Sequence, residues 1–393
     1  MTSARSRAHL PHVLWTPSWY PTCDKPLSGS FFVEQTAILR QWGMAVGVLA
    51  VEARSLWQRP ADLRECHLPE RVVYRQPPMI PRGIVPGDRR IIEAAARRGG
   101  AEYAHRYGIP DVIHAHSVFP GILAARALSD LWGVPYGLTE HRPSSLTRNP
   151  KSPRFRAIVP AVREAAFRIA VSPEFARQLT RYYGSESFEV VSSPVPQEFF
   201  SHPLRTPDGI FRFIHVSHLA PNKRVEETIS AFSQVCVQIP DTRLLIVGGD
   251  SARVSELKAY AASCGVADYV EFTGRVSRQM MAAEMSRGDC LVLVSGRESG
   301  GIVFAEAQSL GLACIASATA GGRHMVPDDA GIVVPIDQPR ALRDAMRAVV
   351  QARRHSTKFA PSQIRAQAAN RFAPDVFASS HADIYRRAIG DAH

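Results

Sequence analysis

Two stretches of this chain place ionisable side chains where a short apolar run gives way to a helix, an arrangement suited to a phosphate. The first is Cys290 to Gly322, CLVLVSGRESGGIVFAEAQSLGLACIASATAGG. Its apolar run, Cys290–Val294, reads as a buried strand, and the loop after it carries Glu298, Gly300 and Gly301 before a helix expected to start near Ile302. Glycine lets backbone approach a ligand closely, and the first N–H groups of a helix, at its positive dipole end, favour an anion. Glu306, eight residues after Glu298, falls on the first turns of that helix. One carboxylate can then accept hydrogen bonds from ribose hydroxyls while the other addresses a transferring group. A solvated loop glutamate followed by one that merely complements the helix dipole would read the same way.

The second stretch is FIHVSHLAPNKRVEETISAF, Phe213–Phe232. A strand ends at Val216, a loop carries His218 and Lys223, and an amphipathic helix begins near Val225. A cation at the carboxyl end of a strand, close to a helix N-terminus, suits a diphosphate; alone it would be a surface charge. In the first half, HAH puts His114 and His116 two residues apart and so on one strand face. The bland alternative is one structural histidine hydrogen-bonded at the strand end and one exposed. A metal site on HAH is disfavoured because no carboxylate lies at ligand spacing, and no Asp-x-Asp occurs in the chain.

The elements that must position these residues follow from the rest of the pattern. At 393 residues the chain is long enough for two domains with a core each. Short Val-, Ile- and Leu-rich runs alternate with helix-length amphipathic segments throughout, as in parallel sheets with crossover helices. The alternation breaks at Pro194–Asp208, where four prolines interrupt regular structure, and then restarts. The expected α/β architecture is therefore two doubly wound Rossmann-like domains facing across a cleft. The first spans residues 1–200 and the second residues 209–373. A C-terminal helix, 374–393, would return to the first domain. Open parallel sheets bind ligands at the carboxyl ends of their strands, where Lys223 and Glu298 fall.

Composition is that of an ordinary globular chain, with 45% hydrophobic and 21% charged residues, which excludes a disordered or fibrous protein. No apolar run is long enough to span a bilayer, and the first residues lack a signal-peptide core, so a cytoplasmic location is expected. The six cysteines include no CxxC pair and are expected to be reduced and mostly buried. Of the net charge of +11, residues 1–208 hold 26 Lys+Arg against 18 Asp+Glu, a surplus of +8. Without a basic stripe interleaved with aromatics, this points away from nucleic acid and toward a phosphorylated acceptor or peripheral contact with the inner membrane surface. Arg89, Arg90, Arg97, Arg98 and Arg106, around DRRIIEAAARR, are the candidate contacts.

The order and spacing of the two phosphate-suited stretches carry a resemblance. From Phe213 to about Ala341 the chain resembles the donor half of the family 4 retaining glycosyltransferases of the GT-B fold. Glu298 to Glu306 is similar to that family's Glu-x7-Glu motif, and Lys223 to its loop lysine. LLIVGGD, FTGRV and GIVVP (Leu244, Phe272 and Gly331 onward) resemble further landmarks. Pro17–Gly43, His114–Leu128 and Leu138–Ser145 resemble the first half of members that act in exopolysaccharide and lipopolysaccharide biosynthesis.

The resemblance implies a nucleoside diphosphate sugar as donor, a glycan or polyprenyl-diphosphate-linked acceptor, a hexose-type sugar, and no metal or other cofactor. It implies that Glu298 sits at the reacting face of the donor sugar, Glu306 binds the ribose, and Lys223 neutralises the departing diphosphate. Gly300, Gly301 and Ile302 would present backbone to sugar and phosphate, His218 would stand in for the usual diphosphate arginine, and Arg275 and Val276 would join the donor site. Gly29 would lie against the diphosphate from the first domain. His116 would be the acceptor-domain residue nearest the anomeric centre, and His141 and Ser30 would line the acceptor pocket. The chain departs from the family pattern at His218, Ser193, Gly300 and His324–Met325. The departures at His218, Ser193 and Gly300 keep a silent nucleotide-sugar-binding homologue open, and the shared fold keeps open an epimerase or synthase.

Overall fold

The computed structural model describes residues 10–23, 25, 28–57, 71–79, 88–147, 149, 151–298 and 300–390. The chain forms two compact units, one of Met1–Val191 with Phe377–His393 and one of Ser192–Val376.

The first unit is built on a seven-stranded sheet in the order β4-β2-β1-β6-β7-β8-β9. Its strands are β1 (His12–Pro17), β2 (Ala45–Val51), β4 (Val72–Arg75), β6 (Val112–His116), β7 (Tyr136–Glu140), β8 (Phe167–Ala170) and β9 (Glu189–Val190). All of these pairs are parallel. A separate short ribbon pairs β3 (Arg54–Ser55) with β5 (Pro78–Met79). The helices are α1 (Ser30–Gln41), α2 (Asp88–Tyr107), α3 (Gly121–Trp132), α4 (Pro153–Arg163) and α5 (Pro173–Tyr183). Strand alternation divides the core between the two sheet faces. Leu14, Leu49 and Ile113 point into one cluster with α2 to α5, whereas Val13, Trp15 and Val48 point into another with α1. The latter face is completed by the last helix, which contributes Phe377, Ala378, Ile384 and Tyr385.

The second unit has a six-stranded parallel sheet in the order β12-β11-β10-β13-β14-β15. It comprises β10 (Phe211–Val216), β11 (Thr242–Val247), β12 (Val270–Gly274), β13 (Cys290–Leu293), β14 (Ala313–Ser317) and β15 (Gly331–Val334). Its helices are α6 (Gln197–Ser201), α7 (Val225–Gln238), α8 (Ser251–Ser263), α9 (Met281–Met285), α10 (Ile302–Ser309), α11 (Ala320–Met325), α12 (Pro339–His355) and α13 (Pro361–Phe372), and α14 (Pro374–Gly390) crosses into the first unit. The sheet is again covered on both faces, with Phe213, Leu244 and Val292 on one and Ile214, Leu245 and Leu291 on the other.

The proline-rich segment reads as a linker in the sequence, yet it is folded into the second unit. Val195 N–H donates to Phe372 O at 2.9 Å, and Phe199 is fully buried. Arg205 reaches both carboxylate oxygens of Asp289 at 2.9 Å, which ties the segment to the sheet. Prolines end helices and strands without preventing packing. Four thiols are free, at Cys236, Cys264, Cys290 and Cys314, but Cys23 is disulfide-bonded, which corrects the expectation of reduced cysteines throughout. Among the described residues no helix is long and apolar enough to cross a membrane.

Candidate active site

In the second unit, β10 and β13 lie side by side, so the loops leaving their carboxyl ends meet. Lys223 closes a 3-10 turn, Pro221–Lys223, and its Nζ donates to Glu298 Oε2 at 2.8 Å. Both side chains are mostly shielded, 22% and 17% exposed. The two loops are laced further by Asn222, whose Nδ2 donates to Arg297 O at 3.2 Å and whose carbonyl accepts Gly296 N–H at 2.9 Å. Glu298 also organises its own loop. Its Oε1 accepts Gly301 N–H at 3.3 Å, and its carbonyl accepts Gly321 N–H at 2.9 Å.

Gly301 is the N-cap of α10 in the left-handed conformation, φ +57°, and a Cβ there would stand 2.8 Å from Phe304. A glycine is therefore required where Gly300 and Gly301 lead into Ile302, the first helical residue. The first amides of α10, which helix geometry leaves without intrahelical acceptors, open beside the Lys223–Glu298 pair. Lys223, Glu298 and the Gly300–Ile302 turn thus form one constellation. The direct pairing of Lys223 with Glu298 was not legible in the sequence, nor were the tethers from Asn222 and Gly321. Only the register of β10 on β13 brings those loops together.

Glu306 lies farther along α10 and is 5% exposed. Its Oε1 is 2.5 Å from Arg278 Nη1, and Arg278 stacks over the Phe199 ring at 5.2 Å. The sequence reads as a helix over Arg278–Ser286, and nothing in it singles out Arg278. The segment is instead a 3-10 turn, Arg278–Met280, followed by the short α9. Arg275 is exposed past the end of β12 and lines a 650 Å3 cavity with Gly249, Asp250, Lys258 and Phe272. Val276 packs against the apolar cluster that contains Phe304. His218 is exposed in the loop that leaves β10.

The first unit gathers a second constellation. Gly29 is the N-cap of α1 with φ +79°, and a Cβ there would stand 2.9 Å from Trp19 Cδ1. Ser30 is the first residue of α1, and the following Phe31 and Phe32 rings face His141 at 5.4 and 5.6 Å. His114 and His116 are both buried, contrary to the reading that leaves one exposed. His114 Nδ1 lies 2.7 Å from Tyr385 OH and its Nε2 lies 2.7 Å from Thr139 Oγ1. Tyr385, on α14, also accepts from Trp15 Nε1 at 3.2 Å. His116 Nδ1 lies 3.1 Å from His141 Nε2, the Trp15 ring covers His116 at 3.8 Å, and His116 Nε2 is buried without a partner among the described residues.

Burial pushes His114 and His116 well below the usual imidazole range, reinforced by the neighbouring histidines. It lowers His141 to about 3, with Arg142 adding to the effect, and His381 to about 4. All four are therefore neutral at physiological pH. Beneath them Glu140 is fully buried. It accepts from Ser117 Oγ, Val118 N, His141 N and Arg142 N at 2.9, 3.0, 2.8 and 2.7 Å. Burial raises its carboxyl above the ordinary value while those four donors pull it back.

The arrangement in the second unit presents a cation and helix amides to an anion beside a carboxylate. The arrangement in the first presents neutral imidazole to a hydroxyl. Comparison with known proteins gives these arrangements a context. Residues 31–199 match the model of Glycosyltransferase Family 4, and residues 196–365 match that of Glycosyl transferases group 1. A D-inositol 3-phosphate glycosyltransferase from Xylanimonas cellulosilytica is 29% identical over 313 residues, 72% of this chain and 74% of that protein. A phosphatidyl-myo-inositol mannosyltransferase from Mycolicibacterium smegmatis is 30% identical over 61% of this chain and 62% of its own length. Among solved structures, a sucrose-phosphate synthase from Thermosynechococcus elongatus superposes with a TM-score of 0.69 at 18% identity, over 97% of this chain and 100% of that one. Anabaena Alr3699/HepE, solved in complex with UDP, gives the same TM-score and identity over 94% and 98%.

Proposed function

The chain belongs to the family 4 glycosyltransferases of the GT-B fold, and from that membership we propose that it moves a hexose-type sugar from a nucleoside diphosphate sugar to a glycan or lipid-linked acceptor, retaining the anomeric configuration. The observation that carries the reading is the Lys223–Glu298 pair beside the amides that open α10. In glycosyl transfer the bond from the anomeric carbon to the phosphate oxygen breaks and a bond from that carbon to the acceptor oxygen forms. Negative charge collects on the departing diphosphate. Lys223 and the α10 amides are fixed donors for that charge, so the reading needs no metal. A diphosphate drawing on Lys223 leaves Glu298 to the sugar. Glu306, held by Arg278, accepts from the ribose hydroxyls, and Arg275, Val276 and His218 belong to the donor side. Gly29 is assigned to the donor diphosphate and Ser30 to the acceptor, and the acceptor proton passes to the leaving phosphate or to His116.

Two kinds of support narrow the substrates. Related folds have been solved with UDP and with UDP-glucose, which favours a nucleotide sugar as donor. The names of the curated relatives add inositol phosphates to the acceptors worth testing. The product would feed a surface polysaccharide, made by an enzyme docked on the cytoplasmic membrane face through α2. Ile92, Ala96, Gly99 and Tyr103 bury one side of that helix, and Arg90, Arg97 and Arg98 stand exposed on another. Arg89 and Arg106 already pair with Glu93 and Glu102 on the same helix. Salt-sensitive flotation with anionic liposomes would support docking, and none at low salt would end it.

The function is tested by screening UDP-, GDP- and ADP-sugars for thermal stabilisation, then assaying transfer with the donor that stabilises. A ligand at 100 times its Kd adds about 2.7 kcal/mol. Stabilisation with turnover supports transfer; stabilisation without turnover on any acceptor favours the silent homologue.

A further inference from the structure

We propose that His141 is a positioning residue for His116, fixing its tautomer through the single hydrogen shared by His116 Nδ1 and His141 Nε2 at 3.1 Å. His141 then serves the reaction through His116 rather than by lining the acceptor pocket. Only the catalytic consequence rests on the function proposed above.

The case starts from what surrounds His116. It is 1% exposed, with the rings of Trp15, His114 and Phe32 at 3.8, 4.2 and 5.1 Å. None of these offers a hydrogen bond to its ring nitrogens, and among the described residues its Nε2 has no partner. A neutral imidazole carries one N–H, and the nitrogen that bears it is set by the hydrogen bond the other nitrogen makes. Among the described residues, His141 is therefore the one hydrogen-bond partner that can choose. If His141 donates, His116 Nε2 bears a hydrogen and can donate to a substrate oxygen. If His141 accepts, Nε2 is bare and can take a hydroxyl proton. Leaving a buried nitrogen unpaired is unfavourable, and pairing it with a ligand hydroxyl would offset that cost.

The partner is itself held in place. Glu140 Oε1 accepts the backbone N–H groups of His141 and Arg142 together with the Ser117 hydroxyl, and Oε2 accepts Val118 N–H. One carboxylate thus fixes the loop after β6, next to His116, against the loop after β7, which bears His141. All four of these partners are neutral, so this buried charge secures geometry rather than an ion pair. The two imidazole planes lie 16° apart, as such bracing would leave them.

The test reads the tautomer directly. In protein labelled with 15N-histidine, long-range proton–nitrogen spectra report which ring nitrogen of His116 is protonated, with assignment from the peaks lost in His116→Gln. The wild type should show one tautomer. His141→Phe should give a mixture, and His141→Gln, which keeps one hydrogen-bonding group toward His116 Nδ1, should restore a single form. With the established donor, kcat should fall roughly 100-fold in His141→Phe with KM changed by less than about 3-fold, and recover in large part in His141→Gln. An unchanged His116 tautomer in His141→Phe overturns the proposal, as does a mixed tautomer with undiminished kcat. Failure of the proposed function would appear separately, as a wild type that turns over no nucleotide sugar while the tautomer still responds to His141.

Discussion

Glu298 spends each of its oxygens on a different neighbour: Oε2 on Lys223, Oε1 on Gly301 N–H and the carbonyl on Gly321 N–H. A substitution that keeps its shape is therefore the fair probe of its chemistry. Glu298→Gln should fold with a melting temperature close to that of the wild type and lose transfer by roughly 1,000-fold or more. Near-normal kcat in that variant would remove Glu298 from the reaction. Gly301→Ala asks a different question, since φ is +57° and the new methyl would crowd Phe304 at 2.8 Å. A non-glycine residue in that conformation costs about 1–2 kcal/mol. The variant should melt lower and bind diphosphates more weakly, measured by calorimetry, because relieving the strain turns the α10 amides away. Lys223, Glu298 and the glycines were legible from residue type and position. That the first two pair directly was not, because they are 75 positions apart in sequence.

At the scale of elements, α14 packs on the first unit, where Tyr385 accepts from Trp15 and bonds His114. Tyr385→Phe should keep the packing, lose both bonds and lower the melting temperature of that unit, whereas Tyr385→Ala should also open a cavity and cost roughly 3–5 kcal/mol. Equal melting temperatures for all three proteins would deny that α14 braces the histidine strand. The strands and the longest amphipathic helices were readable because apolar runs and helical spacing are strong local signals. Val225–Gln238 is an example. α4 and α13 were not read. α4 holds a proline at its centre, Pro160, and α13 buries only Ile364, Ala368 and Phe372 in an otherwise polar sequence. Their helicity comes from packing on the unit, which no local window contains.

For the molecule as a whole, buried neutral histidines set the response to acid. His381 and His215 are held at about 4 and His141 at about 3, against 6.5 unperturbed, and His114 and His116 are lowered further by burial. Between those values and 6.5 the unfolded chain binds more protons than the folded one. Stability is therefore full above pH 6.5 and is lost as pH falls toward 4. Asp289, raised to about 6 by burial, and Glu140 act in the opposite sense, but they are outnumbered. The melting temperature should drop by roughly 10 °C or more between pH 7 and 4.5, and a flat profile would contradict the neutral cluster. The two-domain α/β plan was legible from the alternation of strands and helices, yet the histidine cluster was not. It draws on β6, the β7 loop and α14, segments that only the folded sheet unites. The most direct test of the account is calorimetric titration of the free nucleoside diphosphate of the best donor into wild type and Lys223→Ala. The account predicts at least a tenfold weaker Kd for the variant with an unchanged melting temperature; equal affinities would contradict it, leaving the Lys223–Glu298 turn without a diphosphate to bind.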